Sequence, residues 1–180
     1  MSSFIILDRD GVINYDSDNY IKSPEEWRPI PRSLEAVAAL NRAGYRVVIA
    51  TNQAGISRGL YDVSTLDCIH EKMADALAQV GGYVEEIFFC PHHPDAHCSC
   101  RKPEPGLLYQ AQKKYKFNLA ETYFIGDSYK DIKAGQTAGC KPLLVLTGNA
   151  QRDLAIYPDL KYVQQAEDLA DGVSRLLTKS

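Results

Sequence analysis

The chain predicts an α/β fold: a Rossmann-like parallel sheet with helices on both faces, no large cap domain, and one long loop suited to zinc. Three observations carry this expectation. Short apolar runs that read as buried strands alternate with stretches of helical period. Polar residues able to do chemistry follow the ends of several of those runs. Three cysteines and three histidines crowd into the loop after the third run.

Phe4-Ile-Ile-Leu7 is the first predicted strand. Leu34, Val37, Leu40 and Asn41 share one face of a helix that Gly44 ends. Residues 46–50 form the second strand. Ser64 and Asp67 suggest a capping box ahead of an apolar stripe of Leu66, Ile69, Met73, Leu77 and Val80. A third strand covers 86–89. Pro105 opens a helix with Leu108, Ala111 and Tyr115 inward. Strands at 122–125 and 143–146 flank a helix over 131–137 that stops near Gly139, and a last helix covers 166–177. Right-handed crossovers place the C-terminal ends of parallel strands on one edge, where ligands of such sheets bind. Repeats, low-complexity tracts and linkers are absent, so one domain over 1–180 is expected, with the zinc loop at about 90–105. Segments 14–31 and 90–105 are long for connectors, which points to function or disorder.

Composition narrows the function. A net charge of −3 gives no basic footprint for nucleic acid. The apolar start of the chain lacks the basic flank and cleavage site of a signal peptide, and no run is long enough to span a membrane. The five cysteines then fit a reducing compartment, by default the cytoplasm, and metal ligation better than disulfides. A small anionic substrate, with neither membrane nor nucleic-acid partner, and a monomeric state are the expectation.

Four polar motifs carry the chemistry. Asp8-Arg-Asp10-Gly11 follows the first strand, and two carboxylates there suit Mg²⁺ and a substrate phosphate. Alone, it also reads as a turn rich in Asp and Gly. Thr51-Asn52-Gln53 follows the second strand and offers a hydroxyl, an amide and backbone N–H groups to a phosphoryl oxygen. Alone, it reads as a polar turn. Arg101-Lys102-Pro103 supplies positive charge. Gly126-Asp127-Ser128-Tyr129-Lys130-Asp131 follows the fourth strand, its acids being equally suited to a helix start. The sheet gathers all four into one crevice, which chance does not readily do.

Cys90-Pro-His92-His93-Pro-Asp-Ala-His97-Cys98-Ser-Cys100 holds two close pairs. Cys90, His92, Cys98 and Cys100 make a full tetrahedral set for structural Zn²⁺, with His93 and His97 as alternative fourth ligands. Such a site would fix Arg101 and Lys102, which follow it directly. Cys68 and Cys140 stand apart as lone thiols.

Asp8-x-Asp10-Gly11, Thr51, Lys102 and Gly126-Asp127-x-x-x-Asp131 together resemble the four motifs of the haloacid dehalogenase superfamily of phosphatases, from Phe4 to about Leu146. The resemblance implies a nucleophile at Asp8 and an acid/base at Asp10. It implies Mg²⁺ on Asp8, the backbone carbonyl of Asp10, and Asp127, with Thr51 and Lys102 stabilising the phosphoryl group. It also implies substrate contacts from Asn52, Arg101, Asp16, Asn19 and Tyr20. Asp131 is expected to support its loop rather than bind metal; Arg9, Gln53, Arg58 and Ser128 receive no role. The zinc loop is similar to that of two families within the superfamily. Ala54-Gly-Ile-Ser-Arg-Gly59 favours the heptose bisphosphate phosphatases, which act on a phosphorylated sugar, over the histidinol-phosphatases. A phosphorylatable signalling domain is the alternative of another class.

Overall fold

Six parallel strands form one sheet in the order β3-β2-β1-β4-β5-β6, in a computed structural model that describes residues 3–178. The ends of the expected 1–180 domain, including Met1 of the apolar start, lie outside the described residues. In chain order the strands are β1 (Phe4–Leu7), β2 (Arg46–Asn52), β3 (Glu86–Cys90), β4 (Tyr123–Gly126), β5 (Lys141–Val145) and β6 (Gln164–Ala166). The helices are α1 (Ser33–Arg42), α2 (Val63–Gln79), α3 (Gly106–Tyr115), α4 (Tyr129–Ala138), α5 (Ala150–Ile156) and α6 (Leu169–Thr178).

β1 is central because all four of its side chains are buried apolar groups. Side chains alternate across a strand, so β1 feeds two cores. Ile5 and Leu7 join Val47, Ile49 and Ile125 beneath Val37 and Leu40 of α1, Met73 of α2 and Val173 of α6. Phe4 and Ile6 join Val48 and Phe124 against Leu107, Leu108 and Ala111 of α3 and Ala134 of α4. Each such side chain contributes about 1.5–3 kcal/mol of burial, so Leu40→Ala would cost about 2–5 kcal/mol.

The strand order turns at β1. The chain moves outward through β2 and β3, then returns to pair β4 with the other side of β1. The β1–β4 junction is therefore the switch point, where parallel sheets open a crevice at their C-terminal ends.

Several boundaries differ from the sequence reading. Thr51 and Asn52 belong to β2, because they pair with Phe89 and Cys90. α2 begins at Asp62, whose carboxylate accepts the Thr65 N–H at 2.8 Å, and not at a Ser64–Asp67 box. α4 starts earlier than expected because Ser128 and Asp131 form a capping box. α6 starts later because residues 164–166 pair with β5 as a sixth strand, and α5 was not anticipated. Segment 14–31 is neither disordered nor a cap. Ile21, Trp27 and Ile30 bury it against the core, and its exposed tip overhangs the crevice. No helix among the described residues is long and apolar enough to cross a membrane.

Candidate active site and metal-binding loop

Asp8 leaves the tip of β1, and its N–H donates to Ile125 O of β4 at 2.9 Å, so the sheet itself sets its position. Asp127 follows β4. Its Oδ2 accepts the Asn149 backbone N–H at 2.7 Å and the Asn149 Nδ2 at 3.2 Å. Gly11 and Gly148 both have positive φ, and a Cβ on either would collide with the Asp127 carboxylate. Glycine is needed at both positions for this close approach.

Lys102 reaches the same place from the segment after the cysteine loop and is 2% exposed. Its Nζ lies 2.8 Å from Asp8 Oδ1 and 2.7 Å from Asp131 Oδ1, and donates to Ala50 O at 2.8 Å. Three oxygens thus surround the ammonium, one carbonyl and two carboxylate. Burial disfavours the charge on Lys102, but Asp131 and Asp8 outweigh it and hold the pKa above the usual lysine value.

Asp8, Asp127 and Asp131 place one oxygen each within 4.8 Å of one another, all buried. Burial, and then repulsion from Asp131, push Asp8 up to about 8 despite Lys102. The same two causes raise Asp127 well above the ordinary carboxylate range. Three buried carboxylates facing one ammonium need further positive charge, which is what a divalent cation supplies.

The oxygens are not equally available. Asp131 Oδ2 accepts from the Asp127 and Ser128 N–H groups and the Ser128 hydroxyl, while Oδ1 meets Lys102. Asp8 Oδ2 and Asp127 Oδ1 accept no hydrogen bond among the described residues. Ser128 therefore has a visible structural place as the helix cap. The Asp10 side chain is not part of this cluster; it lines the same cleft and is held by Arg9, Asn14 and Gln53.

A cleft of about 580 Å³ opens over these groups, large enough for a small phosphorylated metabolite. Thr51, Arg101, Asp16 and Tyr20 line it, and Asn19 is not among the lining residues. Asn52 also lines it, but its amide is paired with the Lys102 backbone, accepting at 3.1 Å and donating at 3.0 Å. Arg101 Nη1 is buried without a hydrogen-bond partner among the described residues. Sequence reading missed Lys130, Asn149 and Arg152, which line the same cleft. Burial, and then the neighbouring Arg101, lower the pKa of Lys130, so an anion placed there is favoured. Only the position of Asn149 after a strand could have flagged it.

The cysteine loop begins at the end of β3. Cys90 Sγ lies 3.5 Å from His92 Nδ1 and from Cys98 Sγ. Cys100 Sγ lies 3.2 Å from Cys90 Sγ, 3.3 Å from His92 Nδ1 and 3.5 Å from Cys98 Sγ. Zinc–sulfur bonds of about 2.3 Å at tetrahedral angles imply edges of about 3.8 Å, close to these separations. His93 instead caps a 3-10 turn by accepting the Asp95 N–H, and neither it nor His97 joins the cluster.

The profile of a HAD-hydrolase-like family matches residues 99–172. The D-glycero-beta-D-manno-heptose-1,7-bisphosphate 7-phosphatase of Bordetella bronchiseptica is 49% identical over 176 residues, 98% of each chain. The enzyme of the same name from Pseudomonas aeruginosa is 47% identical over 91% of this chain and 97% of its own. A crystal structure of the D,D-heptose 1,7-bisphosphate phosphatase from B. bronchiseptica, complexed with magnesium and phosphate, superposes with a TM-score of 0.96. It is 49% identical and covers 99% of both chains.

Proposed function

Since the chain belongs to the HAD-like family of heptose-1,7-bisphosphate 7-phosphatases, we propose that it hydrolyses the C7 phosphate of D-glycero-D-manno-heptose 1,7-bisphosphate through an aspartyl-phosphate on Asp8. The observation that carries this reading is the meeting of Asp8, Asp127 and Lys102 at the switch point, beneath a cleft lined by further cations.

Mg²⁺ fits the carboxylate centre. Asp8 and Asp127 each have an oxygen with neither a hydrogen bond nor an ion pair among the described residues, whereas Asp131 Oδ1 faces the Lys102 ammonium and Oδ2 holds the α4 cap. Asp8, Asp127 and the backbone carbonyl of Asp10 would hold the ion, leaving Asp131 as the support expected of it. Bound there, it would neutralise phosphoryl charge and favour ionisation of the two buried carboxylates.

The Asp8 carboxylate attacks phosphorus in line, and the bond to the sugar oxygen breaks. Asp10 gives that oxygen a proton. The resulting carboxylate then takes a proton from the water that attacks the aspartyl-phosphate, releasing phosphate and restoring Asp8. Lys102 holds Asp8 in place and, with Thr51, stabilises the equatorial oxygens. The unpaired nitrogen of Arg101, with Lys130 and Arg152 near it, suits the phosphate at the far end of a bisphosphate. Asp16 and Tyr20 contact the sugar from the overhanging strap. Asn52 acts chiefly by fixing the backbone of Lys102, and Asn19 lies beyond the cleft.

Zn²⁺ fits Cys90, His92, Cys98 and Cys100. It would be structural, because four protein ligands close the set. The chain works as a monomer in the cytoplasm on a small sugar phosphate, a state that light scattering checks.

Side-by-side phosphate release from heptose bisphosphate and histidinol phosphate tests the substrate. The sugar should be favoured by at least about a hundredfold in kcat/KM, the scale of losing one charged contact. Preference for histidinol phosphate would overturn the assignment. A protein that phosphorylates once and releases nothing would instead be a signalling domain.

A further inference from the structure

Arg9 stands between the two catalytic aspartates, is wholly buried, and takes no part in the chemistry above. Its guanidinium forks onto the Asp10 carboxylate. Nε donates to Oδ1 at 2.9 Å, and Nη2 lies 2.8 Å from Oδ1 and 3.1 Å from Oδ2. The third nitrogen, Nη1, lies 3.1 Å from Nε2 of His70, in the middle of α2.

A guanidinium only donates, so His70 Nε2 must accept. The imidazole is then neutral, with its proton on Nδ1. Burial, and then the charge of Arg9, agree with this by pulling His70 down to about 3.

The other side of Asp10 is held separately. Asn14 Nδ2 donates to Oδ1 at 2.9 Å, and Gln53 Nε2 donates to Oδ2 at 3.1 Å. Gln53 is itself fixed by the Tyr61 hydroxyl at 2.6 Å. The carboxylate plane is thus set from both sides, and on the Arg9 side the contact ends at one imidazole of a packed helix.

We propose that His70 is a positioning residue for the proton-transfer step: by accepting from Arg9 Nη1, it locks the fork that orients Asp10. The proposal rests on the reading of Asp10 as the general acid. Removing the acceptor strands a buried guanidinium N–H and releases one corner of a planar group whose orientation Asp10 copies.

A leaving-group contrast tests this. Expulsion of a sugar alkoxide needs the proton from Asp10, whereas p-nitrophenolate leaves without one. Because kcat/KM covers only the steps through phosphorylation of Asp8, the comparison isolates proton donation. Relative to wild type, His70→Leu should lose about tenfold more kcat/KM on heptose bisphosphate than on p-nitrophenyl phosphate, a modest share of what acid catalysis contributes. His70→Gln, whose amide oxygen can accept at the same reach, should recover most of the difference. If His70→Leu does not fold, His70→Asn, too short to reach Arg9, takes its place.

Equal losses on both substrates, no loss on the sugar phosphate, or failure of the glutamine to recover activity would overturn the proposal. Failure of the functional reading shows differently, as wild-type protein that does not turn over heptose bisphosphate.

Discussion

The two candidate metal centres of this chain are built in opposite ways. The carboxylate centre is anchored by the fold. Asp8 is bonded to β4, Asp127 is gripped by Asn149, Asp131 caps α4, and Lys102 ties Asp8 and Asp131 to the end of β2. The cysteine centre is anchored at its ends, where Cys90 pairs with Asn52 in the sheet and Cys98 and Cys100 pack against the core around Phe4 and Ile6, but by little in between. Between Cys90 and Cys100 the backbone forms one three-residue turn, and much of the loop is exposed. The contrast teaches that a metal at the first centre would serve chemistry on a scaffold that stands without it, while one at the second would supply structure that the local sequence does not.

The largest expected effect breaks the chemistry without breaking the scaffold. Asp8→Asn should lower kcat by at least about a thousandfold, since the nucleophile itself is lost. It should leave Tm unchanged or higher, because one of three mutually repelling buried carboxylates is gone. Steady-state phosphate release and a melting curve on the same sample check both halves.

The converse breaks the scaffold with little change in chemistry. Cys98→Ala, or zinc removal by a strong chelator, should lower Tm by about 6 °C or more, about 3 kcal/mol at this chain length. KM should rise, because Arg101 and Lys102 follow Cys100 directly. Depleting Mg²⁺ alone should abolish turnover with a much smaller Tm change. If the two metals shift Tm equally, the contrast between the centres is lost.

Arg101→Ala sharpens the comparison at the boundary between the two regions. It should raise KM for the bisphosphate about tenfold or more while changing kcat little, the mark of binding shared by ground and transition states. A titration of KM against a monophosphate substrate checks whether the second phosphate is what Arg101 holds.

The last effect is a pH slope on stability. His70 titrates at about 3 in the folded chain against an ordinary value of 6.5, so the unfolded chain binds the extra proton. Stability contributed by the neutral imidazole is complete above pH 6.5 and falls as pH drops toward 3, by at most about 1.4 kcal/mol per unit. Denaturant melts of wild type and His70→Gln between pH 7 and 5 should show a shallower slope in the variant.

The sheet and the acidic motifs were legible in the sequence because buried strands have to be apolar throughout, and because an Asp at a strand tip stands out against that background. The same logic failed at β6, since Gln164-Gln165-Ala166 is a short, polar edge strand that pairs on one side only. It failed at α5, whose seven residues bury only Ala150 and Asp153. The cysteine set was readable from spacing alone, including the choice of His92 over His93 and His97.

What the sequence concealed were contacts between distant residues. Asn149 grips Asp127 from a loop 22 residues away, and His70 meets Arg9 across 61 residues. A lone asparagine after a strand, or a lone histidine in a helix, carries no periodicity or motif to mark it. The capping role of Ser128, by contrast, is a local contact with Asp131 three residues on, within reach of a sequence reading.

Rapid mixing with heptose bisphosphate labelled at the C7 phosphate, followed by acid quench, decides whether Asp8 is the nucleophile. Label should appear on the protein within the first turnover, stable to acid, released by hydroxylamine, and confined to the peptide that contains Asp8. Steady turnover with no protein-bound label at any quench time, or label on another residue, would contradict that role.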